Sequence, residues 1–502
     1  MPGGGTKGET SQPTPRRKDV RSPVSEELVE KLNALFTVPP EVRSFKGLEQ
    51  HLREKGREFL QCVFELLLRW LDEALYEEHP PGWTVQDCKG KQMDTVVGQV
   101  ELHRRRYRDE MGEPRYLLDE ALGLSKRQRL SPGLIEEIVT QAVEKPFREV
   151  ERQRRAQGLP SVSHVSVHRW TRRMGERRGQ EEAAQREAVF GRGELPPPGP
   201  ASRVVFAEGD GLVVHAQREA EDHLEIKLAV LHRGWEPRYA GSREWRLKDR
   251  RVHAGVVEAG ETFWEEVMAT QGHRVGLWEA EQLVVNGDGA AWIDGALEVW
   301  GKAGHRQLDP FHVRRDLQRA YPEEEARRLW AALRRGEVEA VLDTMEADLR
   351  RADLPEATRR VREGLWRFLS SRKEQLRDYR RVLSLPAGEV WRGVGAAEAS
   401  VDKHLAVRMK KQGMSWTRRG ADAMARLRAL RANGELGEWL ARQVERPWSL
   451  KPATLAKVAA RARRSGLGEW LLKRVPALQG PHAGRPWVKQ LRRLIDPYPT
   501  LA

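Results

Sequence analysis

Leu283-Val284-Val285-Asn286-Gly287-Asp288-Gly289-Ala290 decides how the chain folds: an apolar, β-branched run stops abruptly at Gly-Asp-Gly. Such a run reads as a buried strand that delivers a carboxylate at its C-terminal tip. The glycines let the backbone turn sharply and leave the space around Asp288 open to a ligand. The device recurs on both sides. Downstream, Gln307-Leu308-Asp309-Pro310-Phe311-His312 places Asp309 at another strand end with His312 close behind. Upstream, Arg203-Val204-Val205-Phe206-Ala207-Glu208-Gly209-Asp210-Gly211 does the same for Asp210. Taken singly, an Asp before Gly is an ordinary turn former. Several strand-end acids in one stretch of chain point to a metal site.

Outward from this stretch, residues 203–208 read as a first strand and 212–217 as a second, after the Gly-Asp-Gly turn. Residues 223–232 read as a third, with Leu224, Ile226, Leu228 and Val230 alternating with Glu225, Lys227 and Ala229. A helix near 261–271, the strand ending at Asp288, a short helix at 291–300 and the strand ending at Asp309 follow. The order β-β-β-α-β-α-β is that of an α/β ribonuclease-H-like core, a mixed sheet with helices on its faces. In that order the first and fourth strands lie side by side, which brings Asp210 and Asp288 together. Glu208 shares a strand face with Asp210 and is an alternative ligand. Residues 313–390 are helical in pattern, with Leu329, Trp330, Leu333, Val341 and Leu342 supplying apolar surface. They form an all-α insertion, because Glu398 returns afterwards at a loop-to-helix junction, with Lys410 and Lys411 beyond it.

The flanks are helical. Residues 1–25 are rich in Gly, Pro and charge and read as a disordered tail. Residues 26–116 hold a long amphipathic helix from 48 to 76, then a β-hairpin that turns at 110–114 and carries Arg104, Arg105 and Arg106 on one arm. That arm is either a phosphate contact or an edge strand protected by charge. In 117–180, Ser131 and Pro132 start one helix. Gly158-Leu159-Pro160-Ser161-Val162-Ser163 turns into another that bears His168, Arg169, Arg172 and Arg173, in the manner of a helix-turn-helix DNA reader. A linker at 181–202 precedes the core, which spans 203–312 and resumes at 391–430. Residues 431–502 form a basic helical tail.

The 502 residues carry a net charge of +14, which favours a polyanionic partner, nucleic acid ahead of a membrane surface. Two cysteines, Cys62 and Cys88, exclude a disulfide framework and a cysteine zinc site. No secretory leader or bilayer-spanning run is visible. A cytoplasmic, nucleoid-associated protein is expected.

The motifs Glu208-Gly-Asp-Gly, Leu224-Glu-Ile-Lys-Leu-Ala-Val, Asn286-Gly-Asp-Gly-Ala-Ala-Trp-Ile, Leu308-Asp-Pro-Phe-His-Val and Arg408-Met-Lys-Lys-Gln-Gly-Met-Ser-Trp resemble the ISLre-type insertion-sequence transposases. These are bacterial DDE transposases related to the Mutator-like group. The resemblance implies Asp210, Asp288 and Glu398 as catalytic, metal-holding acids, with Asp309 and His312 as a supporting Asp-x-x-His element. It implies two Mg²⁺ or Mn²⁺ ions, double-stranded DNA (element ends and target) as substrate, and a homo-oligomer, at least a dimer, on DNA. Two hard cations about 3.5–4 Å apart suit carboxylate ligands and phosphodiester chemistry. His168, Arg169, Arg172, Arg173, Lys410, Lys411 and Arg104 to Arg106 are the DNA-contact candidates. A non-catalytic DNA binder derived from such an enzyme, or a plain ribonuclease-H-like nuclease, are the alternatives.

Overall fold

The strand expected to break at Gly209-Asp210-Gly211 does not break. In the computed structural model, which describes residues 23–302, 304–445, 447–464 and 484–485, one strand, β1, runs through it as Val204–Ala216. Its ladder with β2 (His223–His232) passes straight across the motif, pairing Gly209 with Ala229, Asp210 with Leu228 and Gly211 with Lys227. The glycines here serve close packing. A methyl group at Gly209 would press on Ile293 and Trp292, and one at Gly211 would strike Glu225. Asp210 therefore sits mid-strand, and the third strand is a different segment, β3 (Arg251–Gly255). Four of its five residues are buried, so it shows no two-residue alternation to read.

With β4 (Gln282–Gly287) and β5 (Gly304–Leu308), the sheet has the order 5-4-1-2-3. Strands β4 and β5 run parallel to each other and β4 runs parallel to β1, while β2 and β3 are antiparallel to their neighbours. The first and fourth strands are thus adjacent, with Glu208 opposite Asn286. One face is covered by α1 (Gly260–Gln271) and α2 (Ala291–Trp300), whose Phe263, Trp264 and Ile293 pack on Val205, Ala207 and Val285. The other face, with Leu212, Ile226 and Val252, is covered by the turns around Val401–Met409 and by α4 (Arg418–Ala432). Helix α3 (Pro310–Ala320) leaves the end of β5 and opens the helical insertion. Its core joins Leu317, Leu329, Leu333, Val341, Met345 and Leu369.

The described chain divides into two units, and the division differs from the sequence boundaries. One comprises 1–134, 158–160 and 446–502; the other comprises 135–157 and 161–445. The expected helix-turn-helix domain at 117–180 is split between them. Within the second unit, the helix His164–Arg186 lies along α4 so closely that a methyl group at Gly175 would collide with the Ala423 backbone. The expected linker at 181–202 begins inside that helix. The tail at 431–502 is likewise split: Leu436–Val444 stays with the core unit, and Pro452–Arg464 packs on the helix Phe45–Tyr76 of the first.

In the first unit the hairpin turns elsewhere than expected. Strand Thr84–Asp94 pairs with Gln99–Arg108, and the turn at 95–98 is set by Gly98 at φ 138°. The turn near 110–114 adds only the two-residue strand Pro114–Arg115. The apolar residues of Phe45–Tyr76 do not form one buried face, since Leu52 and Leu60 remain exposed while Leu66, Leu68 and Leu71 are buried. Most of the tail expected to be disordered, along with 465–483 and 486–502 of the expected basic helical tail, lies outside the described residues. No helix among the described residues is long and apolar enough to cross a membrane.

Candidate active site

Four side chains from four segments converge beside the C-terminal end of β4. Asp210 comes from the middle of β1, Asp288 from the residue after β4, His312 from the first turn of α3, and Glu398 from the short helix Ala396–Ser400. Ligand-type atoms of Asp210, His312 and Glu398 all lie within 4.8 Å of one another. His312 Nε2 stands 3.4 Å from Glu398 Oε2. His312 Nδ1 is buried without a hydrogen-bond partner among the described residues.

Asp210 is buried, and burial pushes its carboxyl up to about 7, with Glu398 and Asp288 repelling in the same direction against the pull of the Gly211 N–H. A carboxyl in that state favours a proton or a cation. Asp288 is exposed at the strand tip, where its Oδ1 accepts from the Ala290 N–H at 2.9 Å. A cleft of about 400 Å³ opens there, lined by Asp288, His312, Arg315, Arg319 and Phe368. That open space does not come from the neighbouring glycines, which are closely packed. Gly289, at φ 89°, is pressed against Phe368 and Leu308, and Gly287 is pressed against Ile293.

Asp309 and His312 take different parts. Asp309 caps α3, accepting from the Phe311 N–H at 2.7 Å, and is almost fully buried. Burial raises its carboxyl above the usual range. It faces Asn286, not the cleft. Glu208 is also withdrawn from any ligand role. It is wholly buried, and both its oxygens are occupied by His232, Asn286 and the N–H groups of Gly395 and Ala396. Sequence reasoning weighed Glu208 only as a ligand, because the donors that hold it come from segments 24 to 188 residues away.

A second acid cluster escaped sequence reasoning entirely. Glu182, His253 and Glu266 also bring ligand-type atoms within 4.8 Å of one another, deep in the same unit. Here the centre holds a guanidinium. Arg426 contacts Glu182 and reaches Glu266 at 2.9 Å and Asp422 at 2.9 Å, and Arg178 pairs with Glu182 at 2.6 Å. The cluster is an ion-pair network joining α4 and the helix His164–Arg186 to α1.

Against known proteins, residues 40–446 match the sequence profile of an uncharacterised protein family, UPF0236. The chain belongs to the UPF0236 family. The matched span includes every residue of the converging site. A UPF0236 protein of Streptococcus gallolyticus is 26% identical over 417 residues, covering 80% of this chain and 87% of the relative. One from Caldanaerobacter subterraneus subsp. tengcongensis is 24% identical over 422 residues, covering 82% and 83%. A further UPF0236 relative in that organism, 24% identical over 391 residues, carries eleven locus designations in a single name.

The DNA-contact candidates of this UPF0236 chain are dispersed. On the hairpin, Arg104 pairs with Asp119 and stacks on Tyr116, Arg105 pairs with Asp72 and stacks on Tyr76, and Arg106 pairs with Asp87. These arginines hold the first unit together, an arrangement that neither sequence alternative described. His168 turns inward, edge-on to Phe147 at 5.2 Å. Arg169, Arg172 and Arg173 are exposed, Arg172 pairing with Glu176 and Arg173 lying over Trp170. Lys410 is exposed, and Lys411 pairs with Asp402 at 2.6 Å.

Proposed function

We propose that this protein is a DDE transposase with a ribonuclease-H-like catalytic core, binding the inverted repeats of its own element and cutting and joining DNA. The observation that carries the reading is the convergence of ligand-type atoms of Asp210, His312 and Glu398 within 4.8 Å, next to Asp288. The 5-4-1-2-3 sheet and the helical insertion between β5 and Glu398 support the same reading. So does the relative with eleven locus designations, a repetition that suits an element able to copy or move itself.

The residues fit a hard divalent cation, Mg²⁺ or Mn²⁺. Carboxylate oxygens are its preferred ligands, and the Asp210 carboxyl, raised by burial first and by the neighbouring Glu398 and Asp288 second, would gain a counter-charge from a cation. Bound there, such ions supply Lewis acidity to a phosphodiester. The chain's own part is positional. Asp210 is fixed by the sheet ladder and its Gly211 contact, Asp288 stands exposed at the mouth, and His312 orients Glu398. Water would attack in cleavage and a freed 3′-hydroxyl in joining, with no covalent protein–DNA bond. The net charge of +14 and the exposed Arg169, Arg172 and Arg173 suit a DNA partner.

The test uses a DNA fragment carrying this gene with its native flanks, incubated with purified protein and Mg²⁺ or Mn²⁺. Metal-dependent nicks at the inverted repeats are expected. The Asp288→Asn variant should cut about 10³-fold more slowly, the equivalent of several kcal/mol of transition-state stabilisation. Binding of the ends without cutting, with either metal, would leave a DNA-binding protein; cutting that ignores the ends would leave a nuclease.

A further inference from the structure

Glu208 sits two residues before Asp210 on β1, so both side chains leave the same face of the strand. An isolated carboxylate so deeply buried is costly unless hydrogen bonds surround it. Here they do. His232 Nε2 lies 3.0 Å from Oε1. His232 Nδ1 is itself held at Gly234, 3.1 Å from its N–H and 3.2 Å from its carbonyl oxygen, which fixes the ring with Nε2 facing Glu208. Oε2 accepts from the N–H groups of Gly395 at 2.7 Å and Ala396 at 2.5 Å, and from Asn286 Nδ2 at 3.3 Å.

Gly395 and Ala396 form the entry to the short helix that carries Glu398. That helix arrives after a long insertion, and its place against β1 is not set by any strand pairing of its own. Asn286 extends the arrangement across the sheet, its amide also reaching Asp309 Oδ2 at 3.4 Å. Asp309 in turn stands against Gly395. The row Glu208–Asn286–Asp309 therefore spans β1, β4 and the end of β5, and one end of it grips the Glu398 segment.

We propose that Glu208 is a positioning residue: its buried carboxylate clamps the backbone at Gly395 and Ala396 and so holds Glu398 in register with Asp210 and His312. This rests on the reading of those three as the reactive centre, but the clamp itself is testable without activity. A carboxylate accepts from two adjacent N–H groups and a histidine at once. The isosteric amide of Glu208→Gln turns an NH₂ towards one of those donors and loses the charge.

The experiment compares wild type, Glu208→Gln and Glu208→Asp, full length, by hydrogen exchange with mass spectrometry and by titration with Mn²⁺. In the wild type, peptides over 393–400 should exchange as slowly as those of β1. Exchange at the rate of an open loop would overturn the proposal even if the variants fail to fold. In Glu208→Gln, exchange over 393–400 should rise while β1 and β4 stay protected, and Mn²⁺ affinity should fall about 10–100-fold, as for partners that orient metal ligands. Glu208→Asp, which keeps the charge, should lose less. Unchanged exchange and affinity in Glu208→Gln would overturn the clamp, and so would loosening of the whole sheet, which marks a general structural role. If the wild type binds no Mn²⁺ yet Glu208→Gln still loosens 393–400, the clamp stands and the metal reading falls.

Discussion

Among its described residues the second unit contains two clusters of carboxylates, one wholly buried and one open to solvent at Glu398 and Asp288, and they are built to opposite ends. Around Glu182 and Glu266, the guanidiniums of Arg426 and Arg178 occupy the space between the acids. Around Asp210 and Glu398, no arginine or lysine forms an ion pair with either acid among the described residues; Glu398 faces His312, and Arg315 and Arg319 line the neighbouring cleft. The proton affinities follow. Although burial opposes it, the contacts with His253 and Arg426 hold Glu266 down at about 2. Burial and like charge hold Asp210 up at about 7. A protein that only needed to neutralise its acids has shown at the first cluster how it does so. The second has no such ion-paired arginine among the described residues, which is the difference the proposed metal site rests on.

The largest effect is expected at the neutralised cluster. Arg426→Met should destabilise the fold by about 3–5 kcal/mol, because it leaves Glu182 and Glu266 buried, and Asp422 half-buried, without their shared partner. Urea or thermal melts measure it. Replacing Glu182 and Glu266 by leucine alongside Arg426→Met should recover much of that loss, since well-packed apolar groups replace such networks at little cost. If Arg426→Met proves neutral, the two clusters do not differ as described.

The next effect has the opposite sign. The Asp210 carboxyl titrates near 3.8 when unfolded and near 7 when folded. Between those values the folded state binds more protons, so this group's contribution to stability declines as pH rises from about 4 to about 7. Glu266 behaves conversely: its contribution is full above 4.5 and is lost as pH falls through about 2. Asp210→Asn should therefore stabilise the metal-free protein at pH 7–8 by about 2–3 kcal/mol and flatten the slope between pH 4 and 7. Saturating Mg²⁺ or Mn²⁺ should flatten the same slope in the wild type. A wild-type slope that persists in Asp210→Asn would detach it from this carboxyl.

The two clusters also differ in how far the sequence announced them. The acids at the C-terminal ends of β4 and β5 were readable because strong local signals carry them. A β-branched run ending at Gly-Asp-Gly fixes Asp288, and Asp-Pro at a helix start fixes Asp309. Even there, the same signal misled at Gly209-Asp210-Gly211, where glycines that look like a turn are instead packed under Ile293 and Glu225 in a continuous strand. The strand β3 was hidden because burial on both faces removes alternation. The Glu182–His253–Glu266–Arg426 network and the Glu208 clamp were hidden for another reason. Their members come from segments as far as 244 residues apart, and only the tertiary fold brings them together. In the first unit, Arg104 to Arg106 looked like an exposed basic arm because Asp87 lies on a hairpin strand that the alternation did not reveal, while Asp72 and Asp119 come from two helices that pack on the hairpin.

The smallest effect concerns the backbone that delivers Glu398. Gly395 has φ 124° and ψ 32°, a conformation that a side chain resists, and a methyl group there would stand 3.6 Å from Asp309 Oδ1. The space is therefore adequate and the cost is conformational. Gly395→Ala should lower stability by only about 1–2 kcal/mol. If the segment relaxes to relieve that strain, the N–H groups of Gly395 and Ala396 turn away from Glu208 and Glu398 moves with them. Divalent-ion affinity should then fall by more than the stability loss alone accounts for. The neutralised cluster supplies the control, since its residues touch neither Gly395 nor Glu398. A variant of matched stability loss there, such as Asp422→Asn, should leave ion affinity unchanged. Equal affinity in the two variants would mean that the site does not depend on the backbone at Gly395.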